Sequence, residues 1–331
     1  MPPATILPHH GHSPVPRLVL VDGFTGAGKS TTAQRLWLDL VRAGHQARWL
    51  HEHDVDHPIF PYVDIQDLLR WTPDALEARV VTGWRRFLAR RPAPGTHIIE
   101  GEFLQIPVGV MLALGAPPAR IVALLHDLWA LMATRRPVLV HLDQRPSRAA
   151  LQRVADVRGP RWLHDLVAVV AATPYGHAHR VRTVAGVAQF YREQRAIIAT
   201  AFADIAMPRL AVDLDRGTWE ERLTQIRTGL HLPTPRSASV TRAHLWRHVG
   251  RFVGRPSGLE AIVTTDGGGL FLQMPATPAV PLLEVAPGQF CLESLPITLT
   301  GVYGADQQMM RFRYVSRMRG DHTVDAQWVR R

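Results

Sequence analysis

"LVLVDGFTGAGKSTTAQRL", residues 18–36, is the stretch that decides the fold. Its opening, Leu18 to Gly23, is a short apolar run rich in valine and leucine, suited to a strand buried on both faces. The run enters Gly23-Phe24-Thr25-Gly26-Ala27-Gly28-Lys29-Ser30, which satisfies G-x-x-x-x-G-K-[ST] at every fixed position. Beyond Ser30 the apolar residues recur at helical spacing until Gly44 marks a stop. Strand, glycine loop and helix in this order form the setting in which such a loop binds phosphate. Glycines let backbone N–H groups turn inward around the anion, and the helix N-terminus adds its positive end. Lys29 is expected to reach the β- and γ-phosphates of ATP, and the Ser30 hydroxyl to ligate Mg²⁺. Gly23, Thr25, Gly26, Ala27, Gly28, Lys29, Ser30 and Thr31 make up the expected nucleotide-binding set.

Lys29 is the only lysine in 331 residues, against thirty-seven arginines, and the chain has no asparagine. Lysine and asparagine share AT-rich codons, so a GC-rich genome depletes both and supplies arginine freely. Base composition does not explain why the surviving lysine stands in the glycine loop. Arginine keeps the charge on a wide planar fork, whereas lysine carries a compact ammonium on a thin stem, and a phosphate clamp needs the compact cation.

The stretch resembles the opening of the P-loop nucleoside and nucleotide kinases, particularly the thymidylate-kinase-like enzymes. There an acidic residue and glycine lead into a similar loop followed by Ser-Thr, here Asp22-Gly23 and Ser30-Thr31. The specific resemblance covers about the first fifth of the chain, and a weaker likeness in the order of elements runs to about residue 230. It implies an α/β fold with a parallel sheet flanked by helices, ATP and Mg²⁺ as donor and cofactor, a mobile lid and a small acceptor.

The remaining strand candidates give that frame its side chains. "QARWLHEHDVDHP" (46–58) is a second strand whose end should carry a carboxylate that takes the acceptor's proton, and Glu52 and Asp54 both stand there. If the strand is still extended, these two share one face while His51 and His53 share the other. A metal site built from His51, His53, His57 and the acids is the rival reading, although the spacing matches no stringent zinc signature. "THIIEGEFLQIP" (96–107) is a third strand ending in Glu100-Gly101-Glu102. Glu100 is the candidate for the Mg²⁺ shell, and Glu102 and Gln105 for the acceptor side. Thymidylate kinases usually carry Asp-Arg at this point and deoxynucleoside kinases Glu-Arg-Ser, and this chain has neither. The acceptor class therefore stays open among nucleosides, nucleotides, aminosugars and antibiotics. "PVLVHLD" (137–143) is a fourth strand, followed by a helical stretch with Arg145, Arg148, Arg153, Arg158 and Arg161. The resemblance makes this the lid, and Arg148 and Arg153 are the chosen catalytic arginines. "PRLAVDLDRGTWEERLTQI" (208–226) adds a fifth strand and a helix opened by a Thr218/Glu221 capping box.

Composition shifts near Leu232. A polar, Pro/Ser-rich linker is expected over 232–245, preceded by a kinase-like domain over 17–231 and an N-terminal tail over 1–16. A smaller antiparallel β domain is expected over 246–331, as a sheet or partial barrel, with a hairpin at Asp266-Gly267. A short helix is expected around "RAHLWRHVGRF" (242–252). Cys291 stands alone, which excludes an internal disulfide and a cysteine-based zinc knuckle.

Hydrophobic residues make up 46% and charged residues 20%, a globular balance. The net charge of +10 suits an anionic ligand, but it is scattered without a polybasic block, which ranks nucleic acid behind a small-molecule acceptor. No run of eighteen apolar residues occurs, so no membrane span is expected and the location is read as cytoplasmic. A homodimer through the β domain is left open. The expected activity is an ATP-Mg-dependent phosphotransferase. A regulatory P-loop NTPase using its β domain for a partner, or a polynucleotide kinase, is the alternative.

Overall fold

The computed structural model describes residues 15–61, 63, 65–90, 94–232, 242–255, 257–275, 277–318 and 325–331. Nearly all of the tail expected over 1–16, and residues 233–241 of the expected linker, lie outside the described residues. In chain order the first unit contains β1 (Leu18–Gly23), α1 (Lys29–Arg42), β2 (Ala47–Leu50), α2 (Ile65–Leu68), α3 (Pro73–Ala89) and β3 (Thr96–Glu100). A π-helical turn (Gln105–Val110), α4 (Met111–Ala113), α5 (Pro118–Met132) and β4 (Val138–Asp143) come next. Then come α6 (Arg148–Arg158), α7 (Pro160–Ala171), α8 (Pro174–Ala178), α9 (Val184–Asp204), β5 (Arg209–Asp213) and α10 (Trp219–Gly229).

The five strands form one parallel sheet in the order β2-β3-β1-β4-β5. β1 lies at its centre, and every one of its residues is buried. Leu18 and Leu20 pack into one core, Val19 and Val21 into the other, which is why this strand reads as an unbroken apolar run. The connection leaving β1 runs toward β2 and the one leaving β4 runs toward β5. The crevice between such diverging loops, at the carboxyl ends of the strands, is where open α/β sheets bind ligands. The capping box that opens α10 is formed as expected, with Thr218 and Glu221 satisfying each other's backbone N–H.

The second strand corrects the sequence reading. β2 stops at Leu50, and the chain turns at once, with Asp54 N donating to His51 O at 2.9 Å and His57 N to Asp54 O at 3.1 Å. Glu52 and Asp54 therefore do not share a strand face. The turn is pressed against α3 at Gly83, where an added Cβ would stand 1.9 Å from the Ile59 carbonyl oxygen. Gly83→Ala is expected to destabilise the fold by about 1–3 kcal/mol or more, because backbone rather than a flexible side chain must move. A urea midpoint within error of wild type would overturn that expectation.

The second unit is a closed barrel and not an open sheet. After α11 (Arg242–Trp246) come β6 (Gly250–Arg255), β7 (Glu260–Thr265), β8 (Leu270–Gln273) and β9 (Val280–Ala286). β10 (Gln289–Leu292), β11 (Ile297–Tyr303), β12 (Met309–Ser316) and β13 (Asp325–Arg330) complete it. Each strand pairs antiparallel with its sequence neighbour, and β13 pairs back onto β6. The hairpin at Asp266-Gly267 forms as expected, with Asp266 Oδ1 accepting from Gly268 and Gly269 N. The expected helix over 242–252 ends at Trp246, and "GRFVGR" is strand β6. Pairing β6 with β13 removes both free edges of the sheet. Eight strands leave an interior that side chains fill. Phe252, Phe290, Phe312 and Trp328 occupy it, with the Phe312 and Trp328 rings stacked at 5.8 Å.

The barrel is seated on the glycine-loop helix of its own chain. Gln34 Nε2 donates to Leu292 O at 2.8 Å, while Gln34 Oε1 accepts from Ser294 N at 2.7 Å. Thr31 and Ser294 share a hydroxyl hydrogen bond, and Arg35 pairs with Glu293 at 2.6 Å. A second seat lies on the turn after β2, where Val55 N donates to Arg317 O at 2.9 Å.

Candidate active site

The carboxyl edge of β1 sets the site. Gly23 begins the loop in a position where a Cβ would meet the Leu142 carbonyl oxygen of β4 at 2.6 Å. Gly26 and Gly28 both adopt φ +82°, and a Cβ on Gly26 would strike Val154 of α6. A side chain is strained at such φ values, so the motif's glycines are backbone requirements. Asp22, just before the loop, is fully buried. Its carboxylate accepts from the N–H groups of Gly23, Phe103, Leu104 and Gln105 at 2.6–3.1 Å. Burial pushes Asp22 up to about 6 even against these donors and the Lys29 ammonium. Its role is to bind the base of the loop to the segment after β3.

Lys29, at the start of α1, is buried, with Nζ donating to Phe24 O at 3.3 Å and lying 4.0 Å from Glu52 Oε2. Ser30 Oγ donates to Glu100 Oε1 at 2.8 Å. Trp49 Nε1 donates to the other oxygen, Glu100 Oε2, at 3.0 Å, and His51 Nε2 lies 3.5 Å from Oε1. Gln105 Nε2 donates to Glu52 Oε2 at 2.9 Å. Glu102 is buried beside His57, 3.5 Å from its Nδ1. The structure thus brings together Lys29, Ser30, Glu52, Glu100 and Gln105 from the expected residues, sets His51 of the rival metal reading beside them, and adds Trp49 and the hold of Asp22.

Three expected residues lie elsewhere. Asp54 pairs with Arg317 of the barrel at 3.4 Å and bridges to Met318. Arg148 and Arg153 are on the exposed face of α6, opposite Leu151 and Val154, and Arg153 lies 3.7 Å from Asp215. Arg158 is the α6 arginine whose charge acts on buried Tyr191, whose hydroxyl bonds the Thr25 side chain. Among the described residues His51, His53 and His57 do not converge as metal donors.

The charges are unequally shared. Burial acts to raise the Glu52 carboxyl, but the Lys29 ammonium, with the His53 ring, outweighs it and holds Glu52 below the usual range. Burial and the Glu52 charge push Glu100 up to about 8. Burial also raises Glu102 well above its ordinary value, reinforced by Glu52, Asp22 and Glu100. Burial lowers His51 to about 3, so its ring is neutral. One ammonium therefore serves several buried carboxyls. Ser30 Oγ and the Glu100 oxygens are the hard donors that Mg²⁺ takes, so this donor set fits that ion.

A pH effect follows from Glu100. Below about 4.5 both folded and unfolded chains carry its proton, and above that only the folded one does, up to about 8. The unfolded state binds fewer protons in this window, so stability falls as pH rises through it, by on the order of a few kcal/mol. Urea midpoints at pH 5 and pH 8 without divalent cation should differ less in Glu100→Gln than in wild type. Equal differences would exclude this assignment.

No family model matches the chain, and no curated protein matches it. Among solved structures it is similar to deoxyadenosine kinase from M. mycoides with bound dATP. The identity is 14%, covering 65% of this chain and 99% of that one, at a TM-score of 0.39. It is also similar to EHV4-TK complexed with TP4A, at 14% identity over 65% of this chain and 90% of that one, with a TM-score of 0.32. At these scores no substrate passes from either protein to this chain. Among the described residues, no helix is long and apolar enough to cross a membrane.

Proposed function

We propose that the protein is an ATP-Mg-dependent phosphotransferase acting on a small hydroxyl- or phosphate-bearing acceptor. The observation that carries this reading is the position of Glu52. Its carboxylate lies 4.0 Å from the Lys29 ammonium, while Ser30 and Glu100 pair at 2.8 Å on the same edge. A carboxylate within reach of the phosphate clamp is where an acceptor hydroxyl would lose its proton.

In this reading the inward N–H groups of the loop and Lys29 hold the β- and γ-phosphates. Ser30 and Glu100 hold Mg²⁺, which when bound neutralises charge on the phosphate oxygens. The acceptor oxygen bonds to the γ-phosphorus as the bond to the β-bridging oxygen breaks, and ADP leaves. Glu52, kept ionised, takes the acceptor's proton. It need not be a strong base, since phosphoryl transfer depends chiefly on positioning and charge stabilisation. Gln105 orients Glu52 through its 2.9 Å hydrogen bond. Burial of Lys29 and Glu100 keeps water from the clamp. Arg148 and Arg153 remain lid candidates only through a movement of α6 that turns its exposed face.

A second reading, a regulatory NTPase, draws on the barrel's contacts to Thr31 and Gln34 next to the loop. ADP release from ATP-Mg²⁺ against pooled nucleosides, nucleoside monophosphates, sugars, aminoglycosides and short oligonucleotides separates the two, with Lys29→Ala as blank. Stimulation by one pool, absent in the variant, supports the kinase. A flat response with Lys29-dependent hydrolysis supports the NTPase.

A further inference from the structure

On the barrel, away from the glycine loop, α11 and the turn after it bring two histidines against strand β9. His244 Nε2 lies 2.8 Å from Glu284 Oε2. A ring nitrogen of His248 joins them, so that the donor atoms of His244, His248 and Glu284 all lie within 4.8 Å of one another. His248 is 1% exposed. Its Nδ1 is engaged by the Tyr303 hydroxyl at 3.0 Å, and its Nε2 is buried with no hydrogen-bond partner. In the tautomer whose Nδ1–H donates to the Tyr303 hydroxyl, Nε2 carries a bare lone pair, the state in which imidazole binds a metal.

We propose that His244, His248 and Glu284 form a binding site for a zinc-class divalent transition-metal ion, distinct from the magnesium position at the glycine loop. Two imidazoles and one carboxylate are the donors such an ion takes, and three protein ligands leave a fourth position for water. Zn²⁺ bonds at about 2.0–2.2 Å in tetrahedral geometry require donors roughly 3.3 Å apart. The present separations, from 2.8 Å to at most 4.8 Å, bracket that value.

The surroundings of the donors suit the role. Edge-on packing against Phe290 at 4.9 Å, with the Tyr303 hydrogen bond, fixes the His248 ring. The second oxygen of Glu284 accepts from Gly288 N at 3.2 Å. Such outer contacts orient ligands before the ion arrives. His244 and Glu284 are 30% and 25% exposed, which gives the ion a path in. The Glu284 carbonyl accepts from Arg42, in the last turn of α1, so the site adjoins the seam between barrel and kinase-like unit.

Zn²⁺ titration of the full-length, chelator-stripped protein in excess Mg²⁺, read by calorimetry, tests the proposal. Co²⁺ in place of Zn²⁺ adds a visible absorption readout of tetrahedral coordination. His9, His10 and His12 near the N-terminus and the loop site contribute equally to every variant, so the difference from wild type is the measurement. One equivalent should vanish in His248→Leu and in Glu284→Gln, and Tyr303→Phe should weaken it about 10–100-fold. Zn²⁺ should also raise the melting temperature of wild type and not of Glu284→Gln. Equal uptake by wild type and Glu284→Gln, or no uptake by wild type, would overturn the site. Glu284→Gln decides alone if His248→Leu does not fold.

Discussion

Lys29→Ala is expected to fold, melt cooperatively and lose about 10²–10³-fold in kcat, the usual cost of removing one preorganised donor from developing charge. The side chain is 5% exposed and spans from Phe24 O to Glu52, so it is already aimed across the loop. Its ammonium is also the leading counter-charge that keeps Glu52 ionised. In the proposed reading the variant thus loses the phosphate clamp and part of the acceptor's proton acceptor together. Lys29→Arg should fail nearly as badly, because the planar guanidinium is too wide for the space between that carbonyl and that carboxylate. Steady-state ADP release with the identified acceptor is the measurement. A folded Lys29→Ala protein that turns over like wild type would sink the clamp assignment.

Glu52→Gln and Asp54→Asn should separate where the sequence alone leaves them equal. Glu52→Gln removes the carboxylate beside Lys29 and is expected to lower kcat by about 10²-fold or more, in the range of a positioned proton acceptor. Its amide can still meet Gln105, so the melting temperature should move little. Asp54→Asn breaks the pair with Arg317, which is 40% exposed, and leaves the Lys29 surroundings untouched. Solvent screening keeps that pair's contribution small, about 1 kcal/mol or less. The expected result is a slightly lower melting temperature with kcat within a few-fold of wild type. If Asp54→Asn removes activity and Glu52→Gln does not, the two roles are reversed.

The local pieces of this molecule are legible from residues close together in the chain. Leu18 to Thr31 specifies strand, loop and helix start through neighbours a few positions apart, so the loop, and with it the roles proposed for Lys29 and Ser30, can be read directly. Glu100 is legible for a similar reason, since it ends an apolar run at the edge where ligands bind. The Thr218/Glu221 cap and the Asp266-Gly267 hairpin are also short-range devices, and both form as read.

What escaped the reading depends on partners far apart in sequence. Trp49 reaches Glu100 across β2 and β3, and nothing in "QARWL" marks that indole as a donor to a carboxylate fifty-one residues later. Asp22 is recognisable as the residue before the loop, but its hold on Phe103, Leu104 and Gln105 exists only once β1 and β3 are paired. Ser294 comes to Thr31 from 263 positions away. "GRFVGR" reads equally as the tail of a helix, and only its pairing with β13 makes it the strand that closes the barrel.

By itself, then, the sequence determined a glycine loop of the phosphate-binding pattern at the end of a buried strand, a sheet wound with helices, and a second, β-rich unit. Those features rest on periodicity, glycine placement and single-residue chemistry, which act over a few residues. The tertiary structure alone decided that Glu52 faces Lys29 while Asp54 faces Arg317, that the barrel closes, and that it rests on α1. Each of these depends on which distant backbone supplies a charge or a hydrogen bond, and that is settled only when the packed chain brings the two together.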